Sequence, residues 1–388
     1  MKKNLFGWLA MAAMLVGTGC STDEVVNDYS PENAIQFGTY VGRDAQSRVS
    51  VTDIRVLEEA TFGFGVFANY STNNGVALTP NFINNTKVTW SGSAWTYSPV
   101  KYWPNNGTDQ VTFWAYGPWN TGNTNKEAIA PHFAISDGTD YVATNPVSHK
   151  KTTVDDVNDK VMLTFKHMMS KVGFKVEAIV DELENEDKAN GKVDESSDET
   201  RTDIDSNTKI VVTQVTLSGD LVTSGTYTYG DVPSSDPVRQ DWNLNSNSAT
   251  SETYTLTSAD LKSPTDVTYY TKNDVTEKIN GQVVTNASAQ LNDNDEYLML
   301  IPQEATINIT VHYSVITQDS NLDGGYSKVD NVISSNGFSF SFDRGKAYNF
   351  VLHLGMTSVQ FDATINEWDE TESDRIVHVP LNIKDNNN

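Results

Sequence analysis

The sequence is poor in cysteine: Cys20 is the only one among 388 residues, so no disulfide can form within the chain. Basic side chains are also few, with 27 Lys and Arg against 51 Asp and Glu and a net charge of −24 at pH 7. A chain of this sign repels polyanions, which argues against nucleic acid as a partner. The charge favours a soluble folded body.

The motifs of the common enzyme classes are missing as well. The six histidines are scattered, and none forms the i, i+4 pair of a zinc hydrolase helix. There is no phosphate-binding loop that ends in Gly-Lys-Ser/Thr and no Gly-x-Ser-x-Gly turn. Residues 203–207 have the opening carboxylate spacing of a calcium loop, but Thr208 and Gln214 replace its glycine and glutamate. We therefore expect no enzymatic activity, no cofactor and no metal site.

The N-terminal apolar run is too short for a transmembrane helix. It covers twelve residues, Leu5–Val16, whereas a helix needs about 20 to cross a bilayer. A basic pair, Lys2 and Lys3, precedes the run, and Gly17-Thr18-Gly19 follows it. This order is typical of a secretory signal peptide, which we expect to occupy residues 1–19 and to be removed.

Cys20 gives this signal a more specific meaning. Small residues that end in cysteine resemble the lipobox at which bacterial lipoproteins are acylated and cleaved, which predicts that Cys20 carries the lipid. The alternative is an ordinary secretory signal beside an incidental cysteine. Ser21-Thr22-Asp23-Glu24 resembles the acidic tag that sends such lipoproteins to the outer face of the outer membrane. Residues 20–33 would then be a polar tether.

The body of the chain has the pattern of β-strands. In Thr306–Val315, apolar residues alternate with polar ones, as in a strand with one buried face. The same period of two recurs in 172–178, 338–342, 348–354 and 359–365. Short strands separated by Gly, Asn and Asp turns predict an all-β chain of antiparallel sheets stacked face to face.

Composition divides the chain into segments. Few apolar residues lie between His149 and Lys160, and eleven acidic residues face three basic ones in Asp181–Asp205. We predict a signal peptide (1–19), a tether (20–33), an N-terminal β-sandwich domain (34–158), a C-terminal β-sandwich domain (159–370) with an acidic insertion (181–208), and a C-terminal extension (371–388).

Aromatic residues are concentrated in the first half of the chain. Nine of them lie between Trp90 and Trp119. Two interpretations are open: a platform on which sugars stack, or core strands with members such as Phe113 and Trp114 on opposite faces.

Four segments resemble the fimbrillins, the type V pilus subunits and associated adhesins of Bacteroidales. They are Ala34–Thr39 followed by Ser47-Arg48-Val49, then Phe62–Ala68 with Trp95–Pro104 and Val111–Tyr116, then the His167-x-x-Ser170-Lys171 strand, and last Tyr297–Gln303 with Ile365–Glu370. The resemblance covers most of the mature chain.

The resemblance implies a fold, a location and a mode of assembly. The expected fold is two transthyretin-like antiparallel β-sandwich domains in tandem. The expected product is a lipid-anchored protein of the outer membrane and cell surface, assembled with other fimbrillin subunits into a homo- or hetero-polymer. A trypsin-like protease would cut after an arginine near the first strand, and a strand from another subunit would fill the groove that opens. Such a subunit could also meet a host or bacterial surface ligand.

Two residues are candidates for this processing. Arg48 better matches the family position, and Arg43 is followed by Asp44, which would slow a trypsin-like cut. The alternative is that both are solvated loop arginines that are not processed.

The C-terminal extension contains a candidate donor strand with Ile376, Val377, Val379, Leu381 and Ile383. From Val377 onward, the odd positions form an apolar face at period two. Pro380 removes one backbone donor, which suits an edge strand or a bulge. The alternative to a donor role is a final edge strand of the chain's own second domain.

Two functions therefore follow from the sequence. The first is a pilus subunit or pilus-associated adhesin assembled by protease-triggered strand exchange. The alternative is a surface glycan-binding lipoprotein of a polysaccharide-uptake system, which would need several of the tryptophans between Trp90 and Trp119 to be open to solvent. The sequence leaves a stalk, anchor or tip position equally open.

Overall fold

The fold was taken from a computed structural model. It describes residues 33–41, 57–58, 62–72, 75–104, 106–121, 128–129, 140–150, 160–178, 207–228, 242–244, 249–270, 276–293, 297–319, 321, 325–335, 337–355, 359–367 and 375–378. The regular elements of this part of the chain are all β-strands, which confirms the predicted all-β class. Within the same residues, no helix has the length and apolar character needed to span a membrane.

Nine strands lie between residues 33 and 167. They are β1 (Phe37–Val41), β2 (Phe64–Ser71), β3 (Ile83–Trp90), β4 (Trp95–Tyr97), β5 (Gln110–Gly117), β6 (Ala128–Ile129), β7 (Val142–Thr144), β8 (Val147–Lys150) and β9 (Val161–His167).

The remaining fifteen strands follow from residue 170 onward. They are β10 (Ser170–Ala178), β11 (Thr208–Val222), β12 (Gly225–Thr228), β13 (Trp242–Leu244), β14 (Ala249–Thr257), β15 (Thr265–Tyr270), β16 (Thr276–Val283), β17 (Ala289–Gln290), β18 (Leu298–Leu300), β19 (Gln303–Gln318), β20 (Tyr326–Ser334), β21 (Phe338–Phe342), β22 (Lys346–Leu354), β23 (Val359–Glu367) and β24 (Arg375–His378).

The predicted alternating strands are confirmed as β10, β19, β21, β22 and β23. In β19, Ile307, Ile309 and Val311 are fully buried, whereas Thr306 between the core positions is exposed. Alternate side chains point to opposite faces of a strand, so the apolar set reaches one core.

The N-terminal part forms one eight-stranded sheet in the order β1-β9-β7-β5-β2-β3-β4, with β8 paired to β5. One face of this sheet encloses a core that includes Phe37, Phe64, Val88 and Phe113. The two ends of this sheet, β1 and β4, approach each other, so the sheet curls around its core.

The C-terminal part has a six-stranded sheet, β17-β10-β22-β23-β24 with β18 on β10, and a seven-stranded sheet, β15-β16-β11-β19-β20 with β14 on β11 and β21 on β19. Side chains from both sheets share one core, for example Phe174 and Phe350 with Ile307 and Ile309. This shared core confirms sheets that stack face to face.

The prediction that all strands pair antiparallel was wrong at two places. β1 pairs parallel with β9, and β10 pairs parallel with β22. These partners are far apart in the chain, so no hairpin turn dictates the direction of pairing. The alternation of side chains, on which the prediction rested, is the same in both directions.

A third cluster joins the two parts. Trp114 and Tyr116 of β5 pack with Met168, Met169 and Trp242. The indole Nε1 of Trp242 donates to the carbonyl of Met168 at 2.8 Å. A small sheet, β13-β12-β6, also combines strands from both parts.

Candidate functional site

The first described segment, residues 33–41, closes the curled sheet of the N-terminal part. On one side β1 pairs parallel with β9, from Phe37 opposite Val161 to Val41 opposite Phe165. On the other side the chain before β1 pairs with residues 101–103: the Ile35 N–H donates to the Lys101 carbonyl at 2.8 Å. We call the space that holds residues 33–39, between β9 on one side and β4 with residues 101–103 on the other, the first-strand slot.

Two apolar side chains of this segment are buried in the core. Ile35 is 1% exposed and Phe37 2% exposed. The Phe37 ring meets Phe64 edge-on at a centroid distance of 6.4 Å, Phe113 edge-on at 5.9 Å and Tyr97 at 5.2 Å in a tilted arrangement. Burying such a side chain stabilises the fold by about 1.5–3 kcal/mol. The first-strand slot is therefore an apolar, largely aromatic pocket.

Thr39, two residues after Phe37, is held by a hydrogen bond. The Nε1 of Trp95 donates to the Thr39 hydroxyl at 2.8 Å. Trp95 is only 8% exposed, and its ring packs edge-on against Phe64 at 4.8 Å. An indole N–H can only donate, so the first-strand slot presents a nearly buried donor that needs an acceptor.

Tyr97 supplies a second polar contact. Its hydroxyl donates to the carbonyl of Ile35 at 2.9 Å and accepts from the N–H of Lys101 at 3.2 Å. Burial raises the pKa of the Tyr97 hydroxyl to about 12, although the backbone hydrogen bond with Lys101 acts in the opposite direction. Tyr97 thus joins the wall formed by β4 and residues 101–103 to the strand inside the slot.

The outward face of the segment is small and close to β9. A Cβ atom on Gly38 would lie 2.5 Å from the Sδ of Met162. Met162 is 52% exposed, so its side chain has room to move. Glycine permits the close approach of β1 to its neighbour at this position.

The sequence-predicted site residues lie at both ends of the chain. Cys20, Arg43 and Arg48 are outside the described residues, as are Val379, Leu381 and Ile383. Ile376 and Val377 belong to β24, which pairs antiparallel with β23: Ile376 lies opposite Thr364 and Val377 opposite Ala363. Ala363 is fully buried in the C-terminal core. Of the predicted site residues, the described part of the chain therefore contains only Ile376 and Val377, and both lie in a strand at a sheet edge.

Sequence reasoning missed the walls of the first-strand slot. Trp95 and Tyr97 stood only within an aromatic-rich stretch, and nothing local linked them to Ile35 or Thr39. Their partners are 56 and 62 residues away in the chain. A signal was available in part, because Ile35 and Phe37 alternate with small or polar residues.

The aromatic stretch is mainly core. Trp95 and Trp103 are 8% and 6% exposed, and Phe113 and Trp114 are fully buried. Phe113 faces the N-terminal core and Trp114 the cluster between the two parts, which agrees with the interpretation of the aromatic stretch as core strands with these two residues on opposite faces. Trp90 is partly exposed but packs edge-on against Trp95 at 5.3 Å. These positions do not form an open row of coplanar tryptophans.

A buried ion-pair geometry lies near the junction of the two parts. His167 Nδ1 and Asp140 Oδ2 are 2.6 Å apart, and both side chains are nearly inaccessible to solvent. His167 ends β9, next to the Met168-Met169 link to β10. Among the residues that the structure describes, no group of three or more His, Cys, Asp or Glu side chains could hold a metal ion.

Comparison with known proteins identifies the family. A family model described as fimbrillin-like matches residues 48–368. The chain is 25% identical to fimbrium subunit Fim1C of Phocaeicola vulgatus, over 94% of this chain and 97% of that protein. The crystal structure of a fimbrial protein from Bacteroides vulgatus superposes with a TM-score of 0.59 at 18% identity, over 86% of this chain and 99% of that one, and so has the same fold. The chain belongs to the fimbrillin-like family.

Proposed function

We propose that this chain is a cell-surface pilus subunit or pilus-associated adhesin that assembles with other fimbrillin subunits by protease-triggered donor-strand exchange. In this proposal the body is a tandem of two transthyretin-like β-sandwich domains, exported as a lipoprotein on Cys20 to the outer membrane. The role is structural and involves no catalysis or cofactor. The observation that carries it is the first-strand slot, because a short strand fills it just before two arginines.

The position of those arginines means that a single cut would leave the first strand held by noncovalent contacts alone. β1 ends at Val41, and three arginines follow before β2 begins at Phe64: the two candidates Arg43 and Arg48, and Arg55. A cut after either candidate arginine would separate residues 33–41 from the rest of the body. The strand would then be held only by pairing with β9, pairing with residues 101–103 and the side chains in the slot. The same cut would detach the lipid on Cys20 from the body.

An empty first-strand slot would be a strong acceptor of another strand. It would expose the edge of β9 and the pocket of Phe37, both of which are unfavourable in water. A strand from a neighbouring subunit would restore the backbone hydrogen bonds and refill the pocket with alternate side chains. We assign this donor role to the C-terminal segment of a fimbrillin subunit, represented here by Ile376–Ile383. Pairing of β24 at a sheet edge is compatible with a segment that can be released.

Limited proteolysis tests the exchange. Mature protein without the lipid is treated with a trypsin-like protease, and the products are resolved by mass spectrometry and by native electrophoresis. We expect one early cut at Arg48 or Arg43, followed by ladders when a subunit with a matching donor strand is present. Arg43→Ala, Arg48→Ala and Arg55→Ala together should block both steps, because these are the three arginines between β1 and β2. Arg201→Ala removes a site in the acidic insertion and should leave both intact. A cleaved protein that stays monomeric with every fimbrillin partner of its organism would refute the exchange.

The lipid anchor has an independent test. Cys20→Ser should shift the full-length protein from the detergent phase to the aqueous phase in a cloud-point partition, because the acylated residue is lost. The folded body should keep the same β-sheet circular dichroism. Equal partition of both proteins would contradict lipidation at Cys20.

A further inference from the structure

We infer that the first-strand slot selects a donor strand with an aliphatic, an aromatic and a hydroxyl-bearing residue at alternate positions, and that the donor is therefore a different subunit rather than a second copy of this chain. The inference rests on the proposed function, since it names the partner of the same slot. Its pattern is the one that Ile35, Phe37 and Thr39 display.

The aromatic requirement follows from the walls around Phe37. Rings of Phe64, Phe113 and Tyr97 surround it at centroid distances of 5.2–6.4 Å, and Phe37 itself is 2% exposed. A valine or leucine at this position would leave part of that volume empty. Protein interiors collapse only partly around such a void, and the lining atoms lose their contacts. A donor with an aliphatic residue here should thus bind less tightly than one with a phenyl ring.

The hydroxyl requirement follows from Trp95. Its Nε1 donates to Thr39 Oγ1 at 2.8 Å, and the side chain is nearly buried. An aliphatic residue in place of Thr39 would fill space but leave this donor without its acceptor. An unsatisfied buried donor is more costly than the loss of an ordinary hydrogen bond. The next inward position after the aromatic residue is therefore selective for an acceptor.

The position between Phe37 and Thr39 favours a small residue. Gly38 lies where a Cβ atom would come within 2.5 Å of Met162 Sδ. Because Met162 is half exposed and flexible, this preference for a small residue should be weaker than the other two.

The chain's own C-terminal segment does not match this pattern. From Arg375 to Asn388 it contains no Phe, Tyr, Trp, Ser or Thr. Its inward series would be Val377, Val379, Leu381 and Ile383, all aliphatic. The opposite series, Ile376, His378, Pro380 and Asn382, offers no phenyl ring, and the register that puts the Asn382 acceptor at the position of Thr39 puts Pro380 at the position of Phe37. Whichever register is used, either the aromatic pocket or the Trp95 donor is left incomplete.

A consequence for assembly is that donor and acceptor specificities of this chain differ. Its aliphatic C-terminal strand fits a slot with aliphatic pockets, whereas its own first-strand slot asks for an aromatic strand. Copies of this chain would then alternate with, or terminate on, another fimbrillin subunit.

Strand displacement with synthetic peptides tests the selection. The protein is cut at Arg48 with residues 33–41 still bound, and release of that fragment is followed by mass spectrometry as peptide is added. Four peptides are compared: residues 33–41, residues 374–388, the Pro380→Gly form of the latter, and its Val379→Phe/Pro380→Gly/Leu381→Thr form. The last peptide, the triple variant, places Val377, a phenyl ring at position 379 and a hydroxyl at position 381 in the register of Ile35, Phe37 and Thr39.

We expect the 33–41 peptide and the triple variant to displace the fragment at concentrations about tenfold lower or more than the two other peptides, since an unfilled pocket and an unpaired indole each reduce affinity. In a Trp95→Phe protein, the advantage of the triple variant over the Pro380→Gly form should shrink but not vanish, because the indole donor is gone while the phenyl ring at position 379 still fills its pocket. Comparing displacement from the unsubstituted and the Trp95→Phe proteins separates specific recognition by the slot from nonspecific hydrophobic binding.

The outcomes distinguish failure of donor selection from failure of strand exchange itself. If the natural 374–388 peptide or its Pro380→Gly form displaces as well as the triple variant, the selection is wrong, whereas strand exchange stands. If even the 33–41 peptide fails to replace its own fragment under mildly destabilising conditions, the first-strand slot does not exchange, and both proposals are overturned.

Discussion

The first and last described strands are both edge strands, but their surroundings differ. β1 ends the order of the eight-stranded sheet next to β9, and β24 ends that of the six-stranded sheet next to β23. Beyond β1, however, the Trp95 and Tyr97 side chains and residues 101–103 close the free side. For β24, β23 is the one partner strand found in the described part of the chain. An edge position alone therefore does not tell how firmly a strand is held.

This contrast suggests where strand exchange is limited. A strand paired on one side can detach with the loss of one ladder, whereas β1 must also leave the pocket of Phe37 and the two side-chain hydrogen bonds. Release of β1 should then be the slow step, and a protease cut would not by itself open the first-strand slot.

Phe37→Ala should have the largest effect on stability. Truncation of a fully buried phenylalanine costs about 3–5 kcal/mol because both transfer free energy and packing are lost. The free energy of unfolding in urea measures it. Phe62→Ala, at a position 39% exposed, is the matched control and should change stability by less than about 1 kcal/mol. Equal effects of the two substitutions would mean that β1 is not anchored by its aromatic ring.

Thr39→Val should have an intermediate effect. The substitution keeps the shape but removes the acceptor of Trp95 Nε1; because this hydrogen bond is part-buried, the cost should be about 1 kcal/mol, near the lower end of the range for an unsatisfied donor. After a cut at Arg48, the first-strand fragment that carries the substitution should also dissociate faster from the body. Thr164→Val, at an exposed position of β9, serves as the control. An unchanged dissociation rate would show that water replaces the threonine hydroxyl without loss.

The strands could be predicted only where one face is buried. β19 alternates over most of its length and β22 does so apart from Val351, so the period of two is visible in the sequence. β5 is buried on both faces, and its run Val111–Tyr116 has no such alternation. Its aromatic residues were therefore open to two interpretations until the packing of Phe113 and Trp114 was known.

The existence of a first-strand groove could be predicted, but the residues that form its walls could not. The resemblance suggested that a first strand leaves a groove, and Ile35-x-Phe37 marked that strand. The identity of its walls depends on pairing between residues more than fifty positions apart, and a local pattern does not encode such partners. The parallel pairing of β1 with β9 escaped prediction for the same reason.

Tyr97 offers a smaller effect that depends on pH. Burial raises its pKa to about 12, compared with an ordinary value of 10.0. Between these pH values the released state loses its proton and the strand-bound state keeps it, so retention of β1 should weaken as pH rises from about 10 to 12. Ultraviolet absorbance of tyrosinate measures the titration, and Tyr97→Phe identifies its contribution.

The same titration separates the two parts of the molecule. Removal of the first-strand fragment should lower the pKa of Tyr97 towards its ordinary value, because its hydroxyl then reaches solvent and loses the Ile35 acceptor. Tyr348, whose pKa burial also raises to about 12, lies in the C-terminal core and should not change. Parallel shifts of both residues would indicate general unfolding rather than opening of the slot.

Val377→Ala should have the smallest effect and tests the other end of the comparison. Val377 lies opposite Ala363 at the outer strand of its sheet, where β-propensity and packing together contribute less than about 1 kcal/mol. Urea unfolding should therefore give nearly the same stability as the unsubstituted protein. A loss as large as that of Phe37→Ala would mean that the last strand is as firmly held as the first. Release of β24 would then limit exchange as much as release of β1, and the C-terminal segment would be better explained as a permanent edge of its own sheet than as a donor.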